Sequence, residues 1–342
     1  MTNKRTFSLV AVVTAAALAL TGCAAGEGSG LDQPDAAGDW SSDTLNIDFA
    51  TYNPLSLIIK DQGWIEDALG DDVTVNWVQS AGSNKANEAL RAGAIDVGST
   101  AGSAALLARS NGSPIQAIDI YSQPNWAAIL VPADSTITSV ADLKGKSIAA
   151  TLGTDPYFFL LQSLEEAGLS IDDVDIQNLQ HADGKAALES GAVDAWSGLD
   201  PLLSTSVATA GSKIIYDNIA FNSYGFLNAT ESFISESPDL AQVVVNAYEK
   251  AREYAIANPD EVAAVLAEVA AIDPEIAATQ LKDRTKLDID PAPGQAQLDV
   301  LKIIGPVFVA AGDVKDQATI DDALAGLFNT TFIDKADPSA IG

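Results

Sequence analysis

The chain reads as an α/β protein of two lobes, each a mostly parallel sheet flanked by helices, with a helical C-terminal tail. Three observations predict it. From about residue 45 to residue 216, short β-branched runs alternate with amphipathic stretches, the pattern of strands joined through right-handed crossovers. One motif occurs twice, as ALRAGAIDVGS at 89–99 and ALESGAVDAWS at 187–197. From Pro238 onward the chain becomes Ala-rich and helical in period.

The repeat carries most of the architecture. Ala89, Leu90, Gly93, Ala94, Asp96 and Ser99 recur at one offset as Ala187, Leu188, Gly191, Ala192, Asp194 and Ser197. Each copy reads as a helix that ends at glycine, which takes a left-handed C-cap without steric cost, and then feeds a short buried strand. The strand delivers a polar turn, Ser99-Thr100 in one copy and Ser197-Gly198 in the other. Such a unit at domain-sized spacing predicts two related lobes with a cleft between them, a protein that closes on something.

Taken in order, the chain opens on Lys4 and Arg5, an apolar run at 7–20, and then Leu20-Thr21-Gly22-Cys23. This is the pattern of a secretory signal over residues 1–22, with an apolar run below the ~20 residues a membrane span needs. Residues 23–44 are rich in Gly, Ser, Asp and Pro and read as a flexible tether in which Trp40 is the one large apolar group. Strands are predicted at 45–51, 73–78, 95–98 and 115–121, with helices at 55–69, 84–92 and 102–110. After Ser122-Gln123-Pro124-Asn125 a second run begins, with strands at 127–131, 147–150, 175–179, 193–196 and 213–216. Its helices are predicted at 140–146, 153–167, 184–190 and 202–210. Residues 221–229 read as a strand returning to the first lobe. Helices follow at 238–258, 260–282, 295–311 and 319–327, the second led by Pro259 at a favourable first-turn position. The first lobe is therefore assigned to 45–122 with 223–342, and the second to 123–222.

Removing the signal leaves about 320 residues, enough for two cores. The formal charge of −29 repels nucleic acid and anionic lipid surfaces and keeps the chain soluble; it does not by itself imply a cationic ligand. Beyond the signal no stretch of 18 apolar residues follows, so the remainder is expected to be soluble outside the cell; a monomer is expected.

Absences narrow the chemistry. Cys23 is the only cysteine, which excludes an intramolecular disulfide, and His181 is the only histidine, which leaves no Cys/His metal cluster. No G-x-S-x-G, G-x-G-x-x-G or P-loop occurs in the mature chain. A two-carboxylate hydrolase stays open on composition alone, with no spacing that singles out a pair. No enzyme, cofactor or metal is expected.

What remains is a set of polar loop tips at the carboxyl ends of the predicted strands, where open α/β sheets bind ligands. They are Tyr52-Asn53, Ser99-Thr100, Gly153-Thr154-Asp155, Ala182-Asp183 and Ser197 to Asp200. Tyr121, Trp126, Tyr157, Trp196 and Tyr224 accompany them, so that the tips describe a polar and aromatic cleft for a small molecule. The candidate ligand-binding residues are Tyr52, Asn53, Ser99, Thr100, Trp126, Thr154, Tyr157, Trp196 and Asp200. Trp196 stands where the first copy has Gly98, which suggests a wall of the cleft. Ser99, Thr154 and Asp183 also fit plain helix N-caps, and Asp200-Pro201 fits a cap with first-turn proline. No Lys or Arg falls in the tips, and Lys185 is the nearest basic residue.

Several segments resemble the aliphatic sulfonate-, taurine- and nitrate-binding proteins of ABC importers. They are GAIDVGSTAGSAALLA, DLKGKSIA, LGTDPYFFLLQSLEEAGL, DGKAALESGAVDAWSGLDPLL and FISESPDLAQVVVNAYEKAREYAIANPDEVAAVLAE. The resemblance runs from about residue 45 to about 335 and is specific as an ordered series. It implies a type II periplasmic-binding-protein fold, with crossovers near 121–127 and 217–225. It also implies capture of a sulfonate-like organic anion and its delivery to a permease powered by an ATPase, in sulfur uptake. The small residues before Cys23 resemble a lipobox, which implies cleavage there and a lipid on its thiol that holds the protein at the membrane. In this reading Ser99, Thr100 and Thr154 donate to the anion, while Trp196 and Tyr157 hold its organic part. One departure stands out. Family members often carry Gly-Ser-Ser where this chain has Gly153-Thr154-Asp155, and an acid there fits poorly with a sulfonate. Relatives that bind pyrimidine precursors or other heteroaromatics share the fold, and a pyrimidine-synthase-type enzyme on it would have only His181 for its chemistry. A surface sensor is the remaining alternative.

Overall fold

The computed structural model describes residues 40–342. The expected signal, Cys23 and most of the tether lie outside these residues. The first stretch contains β1 (Thr44–Phe49), α1 (Pro54–Gln62), α2 (Trp64–Leu69), β2 (Thr74–Gln79), α3 (Ser83–Arg91), β3 (Val97–Ala101), α4 (Gly102–Ser110) and β4 (Ile115–Pro124). The second contains β5 (Ala127–Val131), β6 (Ser147–Ala150), α5 (Asp155–Glu166), β7 (Asp175–Asn178), α6 (His181–Glu189), β8 (Ala195–Leu199), α7 (Leu202–Ala210) and β9 (Lys213–Tyr216). The chain then returns through β10 (Gly225–Thr230), α8 (Glu231–Glu236), α9 (Pro238–Ala257), α10 (Pro259–Ala270), α11 (Pro274–Asp283), β11 (Thr285–Lys286), α12 (Gln295–Ala311) and α13 (Gln317–Leu327).

Two mixed sheets result, in the orders β11-β4-β10-β3-β1-β2 and β7-β6-β8-β5-β9. β1 runs parallel to β2 and β3, and β6 runs parallel to β7 and β8. The strands on either side of the crossovers reverse this sense. β10 is antiparallel to β3 and β4, and β5 is antiparallel to β8 and β9. The sheets are thus less parallel than strand–helix alternation predicts, because alternation reports connections made inside one sheet and not the direction in which a chain re-enters from another.

The duplicated motif performs one task twice. Gly93 and Gly191 both adopt left-handed φ, 66° and 74°, and turn the helix end into the strand. Asp96 then accepts from the backbone N–H of Asn46 at 2.8 Å, and Asp194 from that of Ser147 at 2.9 Å. Each aspartate also donates its own N–H to the carbonyl of the same partner, Asn46 or Ser147. In both lobes the motif pins its strand to the start of a neighbouring parallel strand.

Two predicted helices are broken. The 55–69 segment divides at Gly63, whose φ of 65° ends α1 and starts α2. The 260–282 segment divides at Ala271, with φ of 53°, before Asp273 caps α11 through the N–H of Glu275. The main core runs through both sheets and the C-terminal helices, and a smaller one lies in the second lobe around Trp196, Leu130, Leu188 and Leu203. Among the described residues no helix is long and apolar enough to cross a membrane.

Candidate functional site

The two crossovers between the lobes lie side by side. Asn222 accepts from the Ala127 N–H at 3.0 Å and donates to Asn125 at 3.3 Å, which ties the returning segment to the outgoing one. The returning segment also caps α4. The first N–H groups of a helix have no partner within it. Here the Gly102 N–H donates to the Tyr224 carbonyl at 3.1 Å, and the Ser103 N–H donates to Ser223 Oγ at 2.8 Å. The approach is so close that a Cβ on Gly102 would sit 2.4 Å from the Ser223 carbonyl oxygen.

This junction is organised around Asp155, the first residue of α5. Its Oδ1 accepts from Ser103 Oγ and from Ser223 Oγ, both at 2.6 Å. Its Oδ2 accepts from Trp126 Nε1 at 2.7 Å and from the Ser223 N–H at 2.9 Å. One carboxylate therefore joins the first lobe, both crossovers and the second lobe. Burial raises its pKa above the ordinary aspartate range, against the opposing pull of these donors.

Beside it lies an aromatic and acidic cluster. Trp126 meets Tyr52 edge-on at 5.9 Å, and the Tyr52 hydroxyl donates to the Ser99 carbonyl at 2.9 Å. Asp48 accepts from the Ser99 N–H at 2.8 Å and from its hydroxyl at 3.1 Å; burial pushes its carboxyl up to about 7. Tyr121 is fully buried within the field of Tyr52, Tyr248, Asp48 and Asp155, and burial pushes its hydroxyl well up. The hydroxyls of Tyr121 and Ser122 have no hydrogen-bond partner among the described residues, which is uncommon for buried polar groups. Both residues lie against Gly225.

The lobes also touch away from this junction. Asn84 donates to Gln180 at 3.4 Å, Phe158 packs on Phe308 at 4.2 Å, and a Cβ on Gly82 would lie 2.9 Å from His181 Nε2. His181 is buried with Nδ1 at 3.1 Å from Thr151 Oγ1, and burial lowers its pKa to about 4.

Of the predicted site residues, Tyr52, Ser99 and Trp126 share the junction cluster. Asn53 lies next to it, as the cap of α1 and a 3.0 Å donor to the Tyr248 hydroxyl. The others are placed differently. Trp196 is not a wall of the cleft. It is fully buried in the small core of the second lobe, with Gly184 and Gly198 against its indole. Tyr157 packs on Phe158, and burial, with the Asp313 carboxylate nearby, pushes its hydroxyl up to about 12. Asp200 accepts from the N–H and hydroxyl of Ser204 and pairs with Arg284 at 2.5 Å. Thr154 donates to the Thr151 carbonyl at 2.6 Å, and Thr100 donates to the Ala101 carbonyl while accepting from Asn228. The three hydroxyls expected to serve an anion are thus engaged internally, and Lys185 pairs with Glu189. Ser103 and Ser223 were missed, because 120 residues separate them and neither marks its neighbourhood in the sequence. A groove of about 370 Å³ between α7 and α11, lined by Leu203, Val207, Ile276 and Arg284 among others, carries none of the junction's groups. No His, Cys, Asp and Glu cluster among the described residues is arranged to hold a metal.

Two α/β lobes joined at a buried polar junction beside paired crossovers form a fold of the periplasmic-binding-protein type. The chain belongs to the NMT1/THI5-like family, whose sequence model matches residues 57–262. It is 30% identical over 243 residues to the putative aliphatic sulfonates-binding protein of Bacillus subtilis (strain 168), covering 70% of this chain and 73% of that one. It is 29% identical over 219 residues to the protein of the same name from Escherichia coli (strain K12), covering 64% and 69%. Its fold is similar to that of the alkanesulfonate-binding protein SsuA from Xanthomonas axonopodis pv. citri bound to MOPS. That likeness has a TM-score of 0.74 at 24% identity, covering 82% of this chain and 98% of the other.

Proposed function

We propose that this protein captures a small organic solute between its lobes outside the cytoplasm and hands it to an ABC permease driven by its ATPase, as a monomer held to the membrane by a lipid on Cys23. The observation that carries this reading is the junction itself. Both crossovers, both lobes and a set of buried polar and aromatic side chains converge on one place, so a solute bound there would couple its own contacts to lobe closure. The Tyr121 and Ser122 hydroxyls are polar groups a solute could satisfy. The junction residues Tyr121, Ser122, Trp126 and Ser223 fall beside the lobe boundaries expected from the sequence, 123–222 for the second lobe.

Kinship puts alkanesulfonates and sulfur uptake first among the solutes to test, and the Tyr52–Trp126 pair puts flat heteroaromatics beside them. Thermal unfolding is measured with alkanesulfonates, taurine, nitrate and pyrimidines. A bound solute at 100 times its Kd adds about 2.7 kcal/mol. A saturable rise in Tm with one class supports capture, and none with any class counts against it. Cys23→Ala is expected to move the protein from the membrane fraction to the medium.

A further inference from the structure

The donors around Asp155 are those an oxyanion needs. Two hydroxyls, one indole N–H and one backbone N–H converge from Ser103, Ser223 and Trp126, and the first turn of the twelve-residue α5 adds its dipole. The cradle is filled from within. A carboxylate offers about four lone-pair sites, and the four hydrogen bonds run from 2.6 to 2.9 Å. No cation among the described residues shares the place: Arg252 serves Asp119, Glu249 and backbone carbonyls, and Arg284 serves Asp200 and Asp217. The other carboxylate of the cluster is Asp48, bonded to Ser99. An external sulfonate reaching this junction would find its donors taken and would face a fixed carboxylate in a buried setting, where like charges repel strongly.

We propose that Asp155 is the specificity-determining residue of the cleft: its carboxylate occupies the oxyanion cradle made by Ser103, Ser223 and Trp126, so the protein rejects free sulfonates and takes an uncharged organic solute. The hydroxyls of Tyr121 and Ser122 are then the groups left to meet the polar atoms of that solute, with the edge-to-face pair of Tyr52 and Trp126 beside it. This rests on the solute-capture reading and specifies the charge of what is captured.

The test is titration calorimetry of the full chain with 1-butanesulfonate. Wild type is expected to bind at least 100-fold more weakly than Asp155→Ser, which empties the cradle and keeps a small polar residue. Adding Ser103→Ala to that variant should return at least tenfold of the gain. Asp155→Asn, which keeps the shape and loses the charge, gives a smaller gain in the same direction if the serine variant does not fold. Wild type binding within tenfold of folded Asp155→Ser overturns the role of Asp155 and leaves solute capture standing. If neither form binds 1-butanesulfonate or any pyrimidine of the panel, both readings fall.

Discussion

The two copies of the Gly-Ala-x-Asp unit do the same work up to the aspartate and different work after it. Asp96 and Asp194 make the same pair of backbone contacts to Asn46 and Ser147. Three residues on, the same serine does different work. Ser99 bonds the Asp48 carboxylate on β1, whereas the matching position on β6 is Ala149 and Ser197 donates instead to the Pro156 carbonyl at 2.6 Å. Gly98 leaves the first copy slim, while Trp196 fills a core in the second. The helices before the two motifs begin on Ser83 and His181, and these starts face one another across the lobes through Gly82. The shared residues build two jaws. The differences mostly pack each jaw, and the groups that join the jaws come from helix starts and crossovers outside the repeat.

The largest effect that could break this comparison concerns Trp196. As a core residue, Trp196→Ala should cost about 3–5 kcal/mol in urea unfolding and leave the affinity of the folded protein for its solute unchanged. A loss of affinity with little loss of stability would return it to the cleft.

His181 comes next. Burial keeps it neutral in the folded state, with a pKa near 4 against about 6.5 when unfolded. Its contribution is therefore present above pH 6.5 and is lost as pH falls toward 4, because the unfolded chain takes up the proton first. Wild type should lose about 3 kcal/mol more than His181→Gln between pH 7 and pH 4. Parallel losses in both proteins would show that His181 is not shielded by the Gly82 contact.

The smallest effect is a match. Asp96→Ala and Asp194→Ala should each cost about 1–3 kcal/mol, equal to within about 1 kcal/mol, because each removes one carboxylate from one backbone N–H and one side-chain donor, the Asn46 amide or the Ser147 hydroxyl. A difference of several kcal/mol would mean that the copies are alike in sequence only.

Much of the fold is legible from local signals. Strand–helix alternation, the glycine exits at Gly93 and Gly191, and the proline starts of α9 and α10 all act within a few residues. The split of the 260–282 segment was also written there, in Asp273 as cap and Pro274 at the first turn. The direction of β10 was not, since it depends on how the chain returns from the second sheet. For the site, the sequence showed the anomaly but not its neighbours. Asp155 stood out as an acid where small polar residues are common, yet the serines that bind it lie 52 and 68 residues away on other segments. Ser99, Thr100 and Thr154 looked like free donors because nothing local reveals Asp48 across the sheet or a carbonyl within the same turn.

The central claim is that the helix start at Asp155, and not the divergent strand tips, sets what the cleft accepts. The most direct measurement is calorimetric titration of 1-butanesulfonate into Asp155→Ser, Ser99→Ala and Thr100→Ala, each first confirmed to unfold cooperatively. The account predicts that Asp155→Ser alone gains at least 100-fold in affinity over wild type, while the two tip variants stay within threefold of it. A large change in the tip variants, with none in Asp155→Ser, would contradict it.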